Sequence, residues 1–160
     1  MSATIRPAVK DDLEPTAAML NEHSRRLHGV DDATPGDLLQ YWESPDVEFG
    51  QDILVAENDE GIVGYADVGL FAEHIWLDVR ATDDESLPDL LSAIENVAAA
   101  KQPDAGLMAY TSEDDQPLRD LLSRSGYEIV RHSYRMRIAR RTSTSRRAAS
   151  TTSPLLASSG

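Results

Sequence analysis

Between Leu87 and Lys101 the residues Leu87, Leu90, Leu91, Ile94, Val97 and Ala98 recur at i, i+3, i+4 and i+7. That spacing predicts a helix with one continuous apolar stripe, which must be buried against another element. Asp84 or Ser86 can cap its start. The runs on either side have strand chemistry. Gln51–Glu57, Ile62–Phe71 and Glu73–Val79 precede it, and Gly106–Tyr110 follows it. Asn58-Asp59-Glu60-Gly61 supplies the turn between the first two, and in the third Ile75, Leu77 and Val79 alternate with His74, Trp76 and Asp78. A helix with one apolar stripe, set between strands, implies a layered α/β (α+β) domain.

The remaining segments fit that frame. Thr4–Val9 reads as a strand with Pro7 at an edge or end. Asp11 or Asp12 can cap a helix over Leu13–His28, with Pro15 in its first turn and Gly29 ending it. A second helix, Pro35–Glu43, follows Thr34. After the loop Thr111–Asp115, a helix over Pro117–Arg124 stops at Ser125-Gly126, and Tyr127–Ile138 supplies one or two strands. From Arg141 to Gly160, ten residues are Ser or Thr and no hydrophobic period is present. Such a segment cannot offset its ordering entropy by burying side chains. The expectation is a domain over 1–140 and a disordered Ser/Thr/Arg-rich tail over 141–160.

Charge and composition exclude several functions. The net charge is −13. Four of the 15 basic residues (Arg140, Arg141, Arg146 and Arg147) lie in the last 21 residues, which leaves eleven against 28 acidic side chains before them. A body this acidic repels phosphate backbones, so nucleic acid is not an expected partner. No apolar run is long enough to span a bilayer, and no secretory leader is legible, so a cytoplasmic location is expected. The absence of cysteine removes disulfides, thiolate zinc sites and thiol nucleophiles. No metal site is expected, because His23 and His28 are five apart and the carboxylates are scattered. No G-x-S-x-G elbow supports a Ser-His-Asp triad.

Three stretches carry a family likeness: IRPAVKDDLEPTAAML near the start, ENDEGIVGYADV over Glu57–Val68, and LRDLLSRSGY over Leu118–Tyr127 followed by Glu128-Ile129-Val130. In order and spacing they resemble the GCN5-related N-acetyltransferase (GNAT) superfamily over almost all of residues 4–138. The resemblance implies a central mixed, mostly antiparallel sheet of six to seven strands flanked by about four helices. It also implies a fourth strand splayed from the fifth, with the pantetheine of acetyl-CoA lying along the opened edge. The activity implied is acetyl transfer from acetyl-CoA to an amine acceptor, a small molecule or a peptide. By the same likeness Glu73 is the base. The backbone around Leu77, Asp78 and Val79 holds pantetheine, and Ser86 and Leu87 belong to the pyrophosphate loop. Tyr41, Trp42, His74 and Trp76 then line the acceptor pocket.

The chain departs from that pattern at two places. The family's pyrophosphate loop, Q/R-x-x-G-x-G/A, seats the anion on free amides at a helix N-terminus. Here residues 80–89 hold no glycine, carry Asp83-Asp84-Glu85 in sequence, and lose one amide to Pro88. The position of the family's proton-donating Tyr is Leu122, and an upstream Asn is matched by Asp115. Each site residue also has a plainer reading. Glu73 can be a solvated turn carboxylate, His74 and Asp78 the polar face of a strand, and Tyr41-Trp42 core aromatics. Two functions therefore stay open. One is an acetyltransferase with a degenerate cofactor loop. The other is a non-catalytic GNAT-like module with no cofactor, acting as a homodimer, beside a second such domain, or as a ligand sensor.

Overall fold

The structure, a computed structural model, describes residues 3–71, 73–132, 135–140, 147–152 and 154–159. Its strands are β1 (Thr4–Pro7), β2 (Ile53–Asn58), β3 (Gly61–Phe71), β4 (His74–Ala81), β5 (Gly106–Ser112), β6 (Tyr127–His132), β7 (Arg135–Arg140), β8 (Arg147–Thr152) and β9 (Pro154–Ser159). Its helices are α1 (Leu13–His28), α2 (Pro35–Trp42), α3 (Leu87–Lys101) and α4 (Gln116–Arg124). Seven strands form one sheet in the order β1-β2-β3-β4-β5-β9-β6, and β7 pairs with β8 separately. Only β4 and β5 run parallel, joined through α3, so the sheet is mixed and mostly antiparallel.

Strand alternation puts a core on each face of the sheet. On one face the α3 stripe (Leu87, Leu90, Leu91, Ile94 and Ala98) packs with Leu118, Leu121 and Leu122 of α4 onto Ile75, Leu77 and Val79. On the other, Ala17, Met19 and Leu20 of α1 join Leu38 and Trp42 of α2 over Ile53, Val55 and Tyr65. Gly64 on β3 is where α3 comes nearest the sheet. A Cβ there would stand 3.0 Å from both Ala56 Cβ and Leu90 Cδ2, and 3.4 Å from Ser86 Oγ. No helix among the described residues is long and apolar enough to cross a membrane.

Several local expectations are corrected. Asp12 does not cap α1 through its side chain. Its carboxylate instead pairs with both terminal nitrogens of Arg6, at 2.7 and 2.9 Å, and accepts from Val9 N. That fixes the chain entering α1 to β1. Neither Asp84 nor Ser86 gives α3 a side-chain cap. Asp83 accepts from Glu85 N across a short 3₁₀ turn, and the helix continues from that turn. Glu73 lies in the turn before β4, and β4 continues past Val79 to Ala81.

The larger correction concerns the tail. Residues 141–146, 153 and 160 lie outside the described residues, as do 133 and 134 within the expected strand Tyr127–Ile138. Residues 147–152 and 154–159, expected to be disordered, are strands. β9 sits between β5 and β6 and pairs antiparallel with both, so a domain ending at 140 would lack an internal strand. A strand flanked on both sides satisfies its backbone through two ladders. It therefore needs no hydrophobic period of its own, and the Ser/Thr content hid it.

Two outcomes follow. Gly64→Ala should cost about 1–3 kcal/mol in urea unfolding, because the added methyl meets Ala56 and Leu90. Stopping the chain after Arg140 should lower stability by roughly 3 kcal/mol or more, since the ladders of β9 to β5 and β6 are lost. An undiminished urea midpoint for the shortened chain would contradict the pairing.

Candidate functional site

The two inner strands part company at one row. β4 and β5 pair from His74 opposite Gly106 to Asp78 opposite Tyr110, and there the ladder stops. Val79–Ala81 and Thr111–Ser112 extend beyond it with no register partner across the gap. The antiparallel neighbour β3 places Asp67 directly opposite Asp78 and Tyr65 opposite Arg80. Asp67, Asp78 and Tyr110 thus form a single row across β3, β4 and β5 at the vertex of the opening. Their side chains share the face covered by α1 and α2, because Ile75, Leu77, Val79 and Ala81 take the other.

Two carboxylates directly opposite on adjacent strands repel unless something intervenes. Arg80 intervenes for Asp78. Its Nε and one terminal nitrogen meet the two Asp78 oxygens at 3.1 and 3.0 Å, and its other terminal nitrogen reaches Asp32 at 3.2 Å. The two negative partners keep that guanidinium firmly charged. Asp67 has no such bidentate partner. Tyr65 donates to it at 2.7 Å, and the Tyr41 hydroxyl from α2 stands over the neighbouring Gly69, close to the same carboxyl. Burial and the nearby Asp78 charge push Asp67 up to about 7, against the pull of Tyr65, Arg80 and Tyr41. Burial and the same carboxylate raise Tyr65 and Tyr41, so both hydroxyls stay protonated donors. Trp42 is buried against Phe49, with ring centroids 5.2 Å apart.

The residues expected from the sequence divide between this row and places away from it. Asp78 and Tyr41 are in the cluster, and Trp42 is the buried floor beside Tyr65. Trp76 lies one step along the same face and His74 two steps along, exposed, beside Gly106. Glu73 is exposed in the turn five residues before Asp78, about 17 Å away along an extended strand. Leu77 and Val79 send their side chains into the α3 core, but Val79 contributes backbone to the opened edge. Leu122 is buried in the same core, and the Asp115 carboxylate binds His23 Nε2 at 3.0 Å while capping α4. Asp67, Arg80, Asp32, Tyr65 and Tyr110 were not anticipated. The signal that could have found them is the alternation Tyr65, Asp67, Gly69 set against Trp76, Asp78, Arg80 once the hairpin register is known.

The helix entrance beside the opening does not fit a diphosphate. Thr82 N donates to Val63 O, Glu85 N to the Asp83 carboxylate, Ser86 N to Asp83 O and Leu87 N to Asp84 O. Four amides at this entrance are thus already bonded within the chain, and Pro88 has none. The Ser86 hydroxyl is spent on Asp83 O, and the Leu87 side chain is core. A cavity of about 570 Å³ lies between the start of α3 and α4, lined by Asp84, Leu87 and Pro88 on one side and by Asp120, Leu121 and Arg124 on the other. The acids and internally bonded amides of the loop oppose a phosphate there.

The raised Asp67 group has a stability signature. The folded protein keeps this proton up to about pH 7, whereas an unfolded Asp releases it at about pH 4. Its contribution is therefore fully present below pH 4 and is lost as the pH rises to 7. Asp67→Asn should flatten that decline in Tm between pH 4 and 7.5, and an unchanged slope would contradict the assignment.

No family model and no curated protein matches the chain. Solved structures do. A GCN5-related N-acetyltransferase from Sphaerobacter thermophilus superposes with a TM-score of 0.71 at 18% identity over 81% of this chain. The match spans only 44% of that protein's length. A ribosomal-protein-alanine N-acetyltransferase from Brucella melitensis gives 0.70 at 19% identity, covering 97% of this chain and 98% of that one. A GNAT superfamily phosphinothricin acetyltransferase from Sinorhizobium meliloti, in complex with AcCoA, gives 0.69 at 18% identity over 99% and 88%. With the sheet order, the parting of β4 from β5 and the placement of four helices already in hand, these likenesses agree on one architecture: the chain has the fold of the GCN5-related N-acetyltransferases.

Proposed function

We propose that the protein transfers an acetyl group from a thioester to an amine, with Asp67 as the base. The observation that carries this reading is the row Asp67–Asp78–Tyr110 at the vertex where β4 and β5 separate. An amine at neutral pH must lose a proton to attack a carbonyl, and a base serves best when its pKa is near the working pH. Asp67, held near 7 by burial and by Asp78, meets that condition. Glu73 is exposed at the far end of β4, away from the vertex. Asp78, locked by Arg80, supplies the fixed negative charge that attracts a cationic acceptor and keeps Asp67 from ionising early. Tyr110 is 39% exposed in the same row, so its hydroxyl can return a proton to the leaving thiolate in place of the absent Leu122 donor. Acetyl-CoA, which the Sinorhizobium relative binds, would supply the acyl group along the opened edge of Val79–Ala81.

A second reading is favoured by the loop. The acids at 83–85 and the internally bonded amides support a module that keeps the fold and senses a ligand without turnover. One experiment separates the two. Thiol release from acetyl-CoA is followed across a panel of diamines, amino acids and basic peptides, and the protein, having no cysteine, contributes no background. The acetyltransferase reading expects activity that rises as Asp67 ionises through about pH 7. It also expects Asp67→Asn to lose about 10²–10⁴-fold in kcat. Full turnover in that variant would overturn Asp67 as the base. No turnover, with no rise in melting temperature at millimolar acetyl-CoA, would favour the non-catalytic module.

A further inference from the structure

Past Asp78 and Tyr110 no backbone ladder joins β4 to β5, so something else must set the width of the gap. β9 holds β5 as far as Ser112, and Thr82 N holds the end of β4 to Val63 O. The segments just beyond, Thr82 on one lip and Asp114-Asp115 on the other, are both reached by side chains of α1. Arg26 donates to Thr82 O at 3.0 Å. His23 Nε2 lies 3.0 Å from Asp115 Oδ2, and His28 Nδ1 lies 3.6 Å from Asp114 Oδ2. The loop after α1 adds a further tie. Asn21 accepts from Asp32 N and Ala33 N and donates to Ala33 O, all within 2.9 Å, and Asp32 in turn holds Arg80.

These ties differ in strength. Arg26 is more than half exposed, and water competes with its bond. The His23–Asp115 pair is 13% and 9% exposed, and the same carboxylate caps α4 through Leu118 N. A partly buried hydrogen bond that also fixes a helix start constrains the backbone far more than a surface pair.

We propose that the second half of α1 is a clasp across the mouth of the β4–β5 opening, with His23 as the positioning residue that sets the β5 lip. The proposal rests on the acyl-transfer reading for its purpose, which is to hold the gap at the width a thioester arm fills. It does not rest on that reading for its geometry. His23 makes no contact with the reacting row and acts through Asp115.

The test uses the full chain, whose lack of cysteine permits clean labelling. Glu85→Cys and Glu113→Cys place one spin label on each exposed lip, and the pulsed dipolar distance distribution is measured. The parent pair should give one narrow distance. His23→Ala should broaden or lengthen it, and His23→Gln, which keeps a donor for Asp115, should restore it. Ile94→Val, a mild core change on the opposite face, should lower the melting temperature without altering the distance. An unchanged distribution in folded His23→Ala overturns the clasp, as does broadening by the core variant. With turnover as a second readout, His23→Ala should raise KM for acetyl-CoA roughly tenfold with kcat little changed, because the gap and not the base is disturbed. An unchanged or lowered KM overturns the assigned purpose. A parent protein without turnover sinks the acyl-transfer reading, and the distance measurement then decides the clasp alone.

Discussion

The pairing of β3 with β4 governs the rest of the molecule, because its register decides which residues meet at the vertex. Asp67 stands opposite Asp78 only in the alignment that also buries Ile75, Leu77, Val79 and Ala81 beneath α3. A slip of one residue would turn that apolar set to the other face and put the charged set of β4 into the core. The α3 stripe thus selects the register, and the register makes the carboxylate pair. Gly64 completes the arrangement by letting Leu90 and Ser86 lie against the strand.

Two like charges on one row are costly, and the surrounding residues distribute that cost unequally. Arg80, itself tied to Asp32, binds both Asp78 oxygens, and Tyr65 donates to Asp67 as a neutral group. The result is a pair in which one member is fixed and the other is left to hold a proton near neutrality. An environment that raises one carboxyl toward neutrality in this way suits acid–base work. The opposite lip is built on a different principle. Asp83, Asp84 and Glu85 crowd the turn before α3, which ties the Glu85, Ser86 and Leu87 amides within the turn and sets three carboxylates where a diphosphate would approach.

The sequence made α3 and the β2–β3 hairpin legible because their signals are local: a 3.6-residue stripe, and a polar turn ending in Gly61, whose φ of +116° an L side chain rarely adopts. The likeness to the acetyltransferase fold came from the same local segments in order. The site was half legible. Asp78 and Tyr41 could be singled out, but Asp67 reads as an ordinary polar residue in ADVG until a partner eleven positions away is brought opposite it. Glu73 drew attention by its place at the strand start, and the structure puts it beyond reach of the vertex. β9 was illegible for the same nonlocal reason. Its stabilisation comes from two neighbouring backbones, neither of which is visible in PLLASS itself.

Everything turns on one proton that Asp67, facing Asp78, holds near neutrality. The direct measurement is a ¹³C NMR titration of the Asp67 carboxyl carbon in the folded protein, assigned through Asp67→Asn. The account predicts a midpoint near 7 for this group, falling when Asp78→Asn removes the neighbouring charge. A midpoint at about 4, the value for an ordinary exposed Asp, would contradict it.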